Sequence, residues 1–192
     1  MSARKFRIVY ILPSRYDDEG YVHRYVWGVL PSNTLTCLRS LTLDVAKRGT
    51  LGEDVEVSVE VFDDQVHRIR PERIVAAARR DGVKLLIGMV GVQSNQFPRA
   101  GDIALAFREH NVPVMLGGFH VSGVMAMFNE PDRDMRRLME RGVTMVSGEV
   151  EAPGTLDGIL RDALNDSLKP IYRVTETPSI LEAAVPAPAP AY

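Results

Sequence analysis

Residues 112–123 read VPVMLGGFHVSG, an apolar run that ends in Gly117 and Gly118 and at once presents Phe119 and His120. Two roles suit the glycines. They supply positive φ for a turn out of a strand, or they leave room where a backbone must come close to something. The imidazole of His120 can cap a turn, move a proton or bind a metal. A metal needs several ligands, and no second His or Cys stands near His120 at ligand spacing. His23 and His67 fall in other loops, and His110 falls on a helix surface. The single cysteine, Cys37, sits within a core-facing helical pattern, which argues against a Cys–His nucleophile pair. Glu149 and Glu151 stand two apart near a strand end and share a face. Such a carboxylate pair can do acid–base work, but a solvated pair is the simpler reading.

The elements that must position these residues alternate along the chain. Apolar or alternating runs at 6–12, 55–62, 84–92, 112–118 and 143–151 predict five strands. Helical periods at 33–49, 70–82, 98–111, 131–142 and 154–166 separate and follow them. Pro71 near the start and Gly82 at the end of 70–82 mark a helix by the usual asymmetry. Strands alternating with helices predict an α/β fold, a doubly wound parallel sheet with helices on both faces. The run VEVSVEVF is polar on one face, which puts the second strand at an edge. The expected order is therefore 2-1-3-4-5, a Rossmann-like or flavodoxin-like arrangement.

In open α/β sheets, ligands bind outside the carboxyl ends of the strands. Four loops meet that description: PSRYDDEG, QSNQFPR, GGFHVSG and GEVE. Ser94 and Gly148 would border the same slot as Gly117 and Gly118, with missing side chains admitting a flat or elongated ligand. Common alternatives lack their residues. A phosphoacceptor domain needs an aspartate at the end of the third strand, where this chain reads MVGVQSN. The segment ILPSRYDDEG carries no G-x-G-x-x-G, and no phosphate-binding P-loop occurs. The loop at 13–33 is aromatic, with Tyr16, Tyr21, Tyr25 and Trp27; it suits a lid or a docking surface for a partner domain.

The bulk numbers agree with one domain. The chain has 192 residues, 45% hydrophobic and 25% charged, enough for one α/β core and too few for two. A net charge of -2 gives no basic footprint for nucleic acid. One cysteine permits neither an internal disulfide nor an all-cysteine metal site, and it suits a reducing cytoplasm. The first apolar run is too short to span a membrane and lacks a small-residue cleavage site. The expected boundaries are a domain over 1–172 and an extended linker or tail over 173–192, ending in the Pro/Ala-rich AAVPAPAPAY.

Taken in order, VGVQSNQFPRAGDIALAFREHNVPVMLGGFHVSG, GVTMVSGEVE, LPSNTLTCLRSLTLDV and LKPIY resemble one family. It is the N-terminal cobalamin-binding domain of cobalamin-dependent radical S-adenosylmethionine enzymes, and the resemblance covers roughly residues 6 to 172. It implies a Rossmann-like sheet, with the corrin over the carboxyl ends of the strands and the nucleotide tail in a slot beside the sheet. Carried over by position, the cofactor contacts would be Ser14, Val92, Gln93, Ser94, Gly117, Gly118, Phe119, His120, Gly148 and Glu149. The chain has no Asp-x-His-x-x-Gly after its first strand, so the resemblance assigns no histidine–cobalt bond. The parent enzymes carry a Cys-x-x-x-Cys-x-x-Cys site for a 4Fe-4S cluster and bind S-adenosylmethionine in a following barrel domain. One cysteine cannot make that site, so the implied role is a cobalamin module serving such a barrel, in the same chain or another, for methyl transfer. Two other readings stay open. One is a flavodoxin-like sensor or interaction domain with a degenerate site, and the other is a small-molecule enzyme using Glu149 or His120.

Overall fold

The computed structural model describes residues 3–26 and 32–176. Its sheet is parallel throughout, in the order β2-β1-β3-β4-β5-β6. The strands are β1 (Arg4–Leu12), β2 (Val55–Asp63), β3 (Lys84–Met89), β4 (Val114–Gly117), β5 (Val143–Ser147) and β6 (Ile171–Arg173). The helices are α1 (Asn33–Lys47), α2 (Pro71–Asp81), α3 (Phe97–Arg108), α4 (Phe119–Phe128), α5 (Arg133–Glu140) and α6 (Thr155–Leu164). The expected order 2-1-3-4-5 is present, with β2 at the edge, and β6 extends it by one strand.

Local chemistry sets the helix ends. The Ser32 hydroxyl accepts from the Leu35 N–H to start α1, and the Asp132 carboxylate accepts from the Met135 N–H to start α5. Pro71 opens α2, and Gly82 closes it in the left-handed conformation. Helix α4 was not expected. FHVSGVMAMF is apolar on nearly every side, so no 3.6-residue contrast marks it, and Gly118 gives it no side-chain cap. Only Val121 and Met125, one turn apart, are buried.

Two strands stop short of their expected ends. β3 ends at Met89 rather than 92, because Gly91 turns the chain at φ 62°. β5 ends at Ser147 rather than 151, because Gly148 turns it at φ 97°. At the other end, the sheet runs past the expected boundary at 172. Arg173 pairs with Ser147, and the Val174 N–H donates to the Ser147 carbonyl. Of the expected linker, residues 177–192 lie outside those described.

Strand alternation divides the core in two. Val9, Ile11, Ile87, Leu116 and Met145 face one layer, built from α2, α3, α4 and α5. Phe6, Ile8, Tyr10, Leu86, Met115 and Val146 face the other, built from α1 and α6. The placement of α6 has a topological consequence. β4 to β5 and β5 to β6 step in the same direction across the sheet, yet their helices cover opposite faces. The two crossovers therefore have opposite hands. Right-handed crossovers are the strong rule, so the short last one is the exception. It sets α6 beside α1, where Arg48 grips Asp157 at 2.8 and 3.1 Å. Between those helices an opening remains over the carboxyl ends of the strands. Among the described residues, no helix is long and apolar enough to cross a membrane.

Candidate functional site

The gap between α1 and α6 is a cavity of about 420 Å³ at the carboxyl ends of the strands. Its floor is the sheet: Tyr10, Val90, Met115 and Val146. Thr34, Cys37 and Leu38 form the α1 wall, and Leu156 and Ile159 form the α6 wall. The mouth is bordered by Gly91, Gln93, the Gly117–Phe119 corner, Ser122 and the 148–151 turn. The floor and walls are apolar and fixed. Tyr10 is fully buried, and its hydroxyl lies 2.7 Å from the Thr42 hydroxyl, so the ring cannot swing away without losing that bond. Burial also pushes the Tyr10 phenol far above its usual range, so it stays neutral.

Six of the ten expected contacts border this cavity: Gln93, Gly117, Gly118, Phe119, Gly148 and Glu149. Phe119 is 69% exposed, an apolar plate at the mouth. The glycines, however, are not empty for the ligand's sake alone. A Cβ on Gly118 would sit 2.1 Å from the Val92 backbone nitrogen. One on Gly148 would sit 2.1 Å from the Val174 carbonyl oxygen. Both residues adopt positive φ, at 141° and 97°. The expected slot role is thus corrected at these two positions, since neighbouring backbone already fills the space a side chain would need. Only Gly117 tolerates more, with its nearest neighbour, the Val146 carbonyl oxygen, at 3.0 Å.

Ser14, Val92, Ser94 and His120 do not border the cavity. Val92 is fully buried in the opposite layer; its N–H donates to the Gly117 carbonyl and its carbonyl accepts from the His120 N–H. The His120 ring turns the same way. It lies 4.1 Å from the Phe97 ring, with Nδ1 3.2 Å from the Ser94 hydroxyl and Nε2 3.7 Å from an Asp132 carboxylate oxygen. Burial pulls its pKa down, against the raising effect of Asp132 and Asp134, so the imidazole is neutral at pH 7. Its expected place beside the ligand is therefore not where the fold puts it: α4 begins at Phe119 and rotates His120 behind the mouth.

Ser14 is buried by the loop that follows β1. Its hydroxyl donates to the His23 carbonyl, and its N–H donates to Asp64. Asp64 is fully buried and also holds Arg24 at 3.3 Å and Arg99 at 2.8 Å. Tyr16 donates to Asp102 and lies beneath Arg99. These bonds tie the described part of the 13–33 loop to α3, on the face away from the cavity. Trp27 lies outside the described residues.

Three polar groups border the cavity: Cys37, Glu149 and Glu151. Cys37 is half-buried and faces the cavity rather than the core. Burial pushes its thiol up, and the charge of Glu151 adds to that. Glu149 and Glu151 lie in the turn after β5, not in a strand, and both border the cavity. Burial raises the Glu151 carboxyl, and Glu149 raises it further by charge and by a hydrogen bond. Glu149 is exposed, as a solvated pair would have it, while Glu151 is half-buried. The i, i+2 spacing is visible in sequence; the turn that brings both residues to the edge of one cavity is not. Among the described residues, no group of three or more His, Cys, Asp or Glu is arranged to hold a metal ion.

The fold and cavity define a doubly wound α/β protein with a ligand-sized opening at its strand ends. Comparison with protein-family models, with curated proteins and with solved structures finds no match.

Proposed function

We propose that the chain is a cobalamin-binding module and that its cavity takes the cofactor's nucleotide tail. The observation that carries this reading is the cavity between α1 and α6, at the end of the sheet where ligands bind in this class. Its size suits a small flat group, and its lining suits one too: an apolar floor and walls with few polar groups at the rim. Tyr10, Leu38, Met115 and Ile159 would pack against a planar base and exclude water. Gln93, Asn33 and Thr34 would supply hydrogen bonds at the mouth, and Phe119 would lie beneath the ring that spans it. When bound, the cobalt supplies a methyl group or an electron; the protein supplies orientation and shelter.

The partner in this reading is a radical S-adenosylmethionine barrel domain, in the same chain or another, and the chemistry is methyl transfer. The 4Fe-4S cluster and S-adenosylmethionine belong to that partner, since one cysteine cannot ligate a cluster. The partners exclude nucleic acid and membrane, and the compartment is the cytoplasm.

The test is reconstitution with hydroxocobalamin, followed by gel filtration and a visible spectrum. Retained corrin absorbance is expected, together with slower alkylation of Cys37, the chain's one thiol. Cys37→Trp, which fills the cavity from the α1 wall, should abolish retention while leaving the far-ultraviolet spectrum unchanged. No retained absorbance with the wild-type chain, or full retention by Cys37→Trp, would sink the proposal.

A further inference from the structure

A second cavity, of about 390 Å³, lies at the carboxyl end of the edge strand β2, where the chain passes into α2. Phe62, Ile69 and Ile74 line it, together with Arg68, Arg70 and Arg73. It is separate from the cavity between α1 and α6, because its three apolar residues pack with the core layer of α2 and α3, on the other face of the sheet. Ile69 is buried, and the Phe62 ring meets the His67 ring edge-on at 6.0 Å. The arginines are unusual for this chain. Arg4, Arg7, Arg24, Arg48 and Arg99 each pair with a carboxylate. Arg68, Arg70 and Arg73 are exposed, and among the described residues their side chains have neither an ion-pair nor a hydrogen-bond partner. Glu72 is exposed too and does not line the cavity. The chain carries a net charge of -2, so this cluster does not follow from a basic surface. Like charges gathered at one opening repel, and a bound anion relieves the repulsion.

We propose that this second cavity binds a small organic phosphate, its anionic group held by Arg68, Arg70 and Arg73 and its carbon part packed on Phe62, Ile69 and Ile74. The inference stands independently of the cofactor reading, which concerns the other cavity. A guanidinium is always charged and presents paired N–H donors that match two oxygens of a phosphate. The backbone beside the cavity supplies little of this. Pro71 has no N–H, and the N–H groups of Arg73 and Ile74 already donate to the Arg70 carbonyl. Anion binding therefore falls to the three side chains. Half of the lining is apolar, so a bare phosphate leaves Phe62, Ile69 and Ile74 uncovered, whereas a ligand with a ring or a short branched chain buries that surface as well. The cavity volume lies within the range of small-molecule sites. Its place, outside the carboxyl end of a strand, is where open α/β sheets bind ligands.

The test uses the full chain, labelled with nitrogen-15, and three probes: phenyl phosphate, inorganic phosphate and phenol. Arginine Nε–H signals and the backbone amides of residues 62 and 67–74 report binding. At physiological salt, phenyl phosphate should bind at least about tenfold more tightly than either other probe, since each of those offers only half of what the lining reads. Replacing all three arginines, by Arg68→Gln, Arg70→Gln and Arg73→Gln together, should weaken phenyl phosphate by at least about tenfold, the scale of one hydrogen bond to a charged group. The three side chains are exposed and unpaired, so the thermal midpoint should stay at the wild-type value. Arg80→Gln, at the far end of α2 and outside the lining, should change the affinity by less than about twofold. No shift with phenyl phosphate at about 10 mM, equal affinities for the three probes, or undiminished affinity in the triple variant would overturn the inference. An equal loss with Arg80→Gln would do the same, by reducing the effect to net charge. A tetraglutamate peptide that binds more tightly than phenyl phosphate would also overturn it, and would mark the arginines as a contact for an acidic protein.

Discussion

Replacing Gly118 by alanine measures how closely the cavity's rim is built. The new Cβ would lie 2.1 Å from the Val92 nitrogen, 2.8 Å from the Gly91 carbonyl carbon and 2.9 Å from the Val92 carbonyl oxygen. All three are backbone atoms, so no side chain can rotate aside. Moving Val92 would break its bond to Gly117, 3.2 Å long, and the bond it accepts from His120, 2.9 Å long. Each such bond contributes about 1 kcal/mol. A side chain at φ 141° adds strain of about 1–3 kcal/mol. Together these predict a loss of about 4 kcal/mol, a large part of the ~5–15 kcal/mol a domain has. At this chain length that lowers Tm by about 8–16 °C. Gly123, five residues further along α4, is the internal control: a Cβ there meets nothing within 4 Å. Gly123→Ala should instead gain up to about 1 kcal/mol of helix propensity. Thermal unfolding followed by circular dichroism reads both. A Gly118→Ala protein within about 1 kcal/mol of wild type would refute the close approach. So would an equal loss at Gly123. A bulky residue at 118 would confound lost fold with lost binding, whereas one at Cys37 fills the cavity from the α1 wall.

Two further predictions concern the buried polar groups beside the site. Asp64→Ala strands Arg99, whose side chain is only 15% exposed, and should cost about 3–5 kcal/mol. Urea unfolding checks the loss, and faster proteolysis within 13–26 should accompany it; an unchanged midpoint would refute the anchoring role. His120 has a folded pKa below its unfolded one because it is buried. Below about pH 6.5 the unfolded chain binds the extra proton first, so this part of the stability is present at pH 7 and lost on acidification through the folded pKa. His120→Gln should flatten the dependence of unfolding free energy on pH between about 7 and 5; an identical slope in both proteins would refute it.

Much of this was legible in sequence because it depends on near neighbours. The unbroken apolar run FRIVYIL marks β1 as a strand buried on both faces, and in the fold Val9 and Ile11 face one layer while Ile8 and Tyr10 face the other. Ser32, Pro71 and Gly82 punctuate helices through bonds or φ values that span a few residues. The same logic put GGFH and GEVE at one end of the sheet, where the cavity lies. What escaped depends on contacts between distant segments. Helix α4 has no polar face to betray its period, and β6 has three residues, too few for any pattern.

The division is sharpest at the site itself. The amino-acid sequence alone determined an α/β sheet in the order 2-1-3-4-5, its second strand at the edge, and glycine-rich loops at the strand ends. Periodicity and turn chemistry are local, and the chain cannot hide them. Only the tertiary structure decided which way each side chain on that face points. It turned His120 and Ser94 behind the rim, put Val92 into the opposite layer, and brought Cys37, Glu149 and Glu151 to a cavity that no stretch of sequence contains. The physical reason is the last crossover. Because α6 packs on the same face as α1, held by Arg48 and Asp157 109 residues apart, two helices flank an opening floored by Tyr10, Val90, Met115 and Val146. That opening exists only once α1 and α6, distant in sequence, have packed side by side.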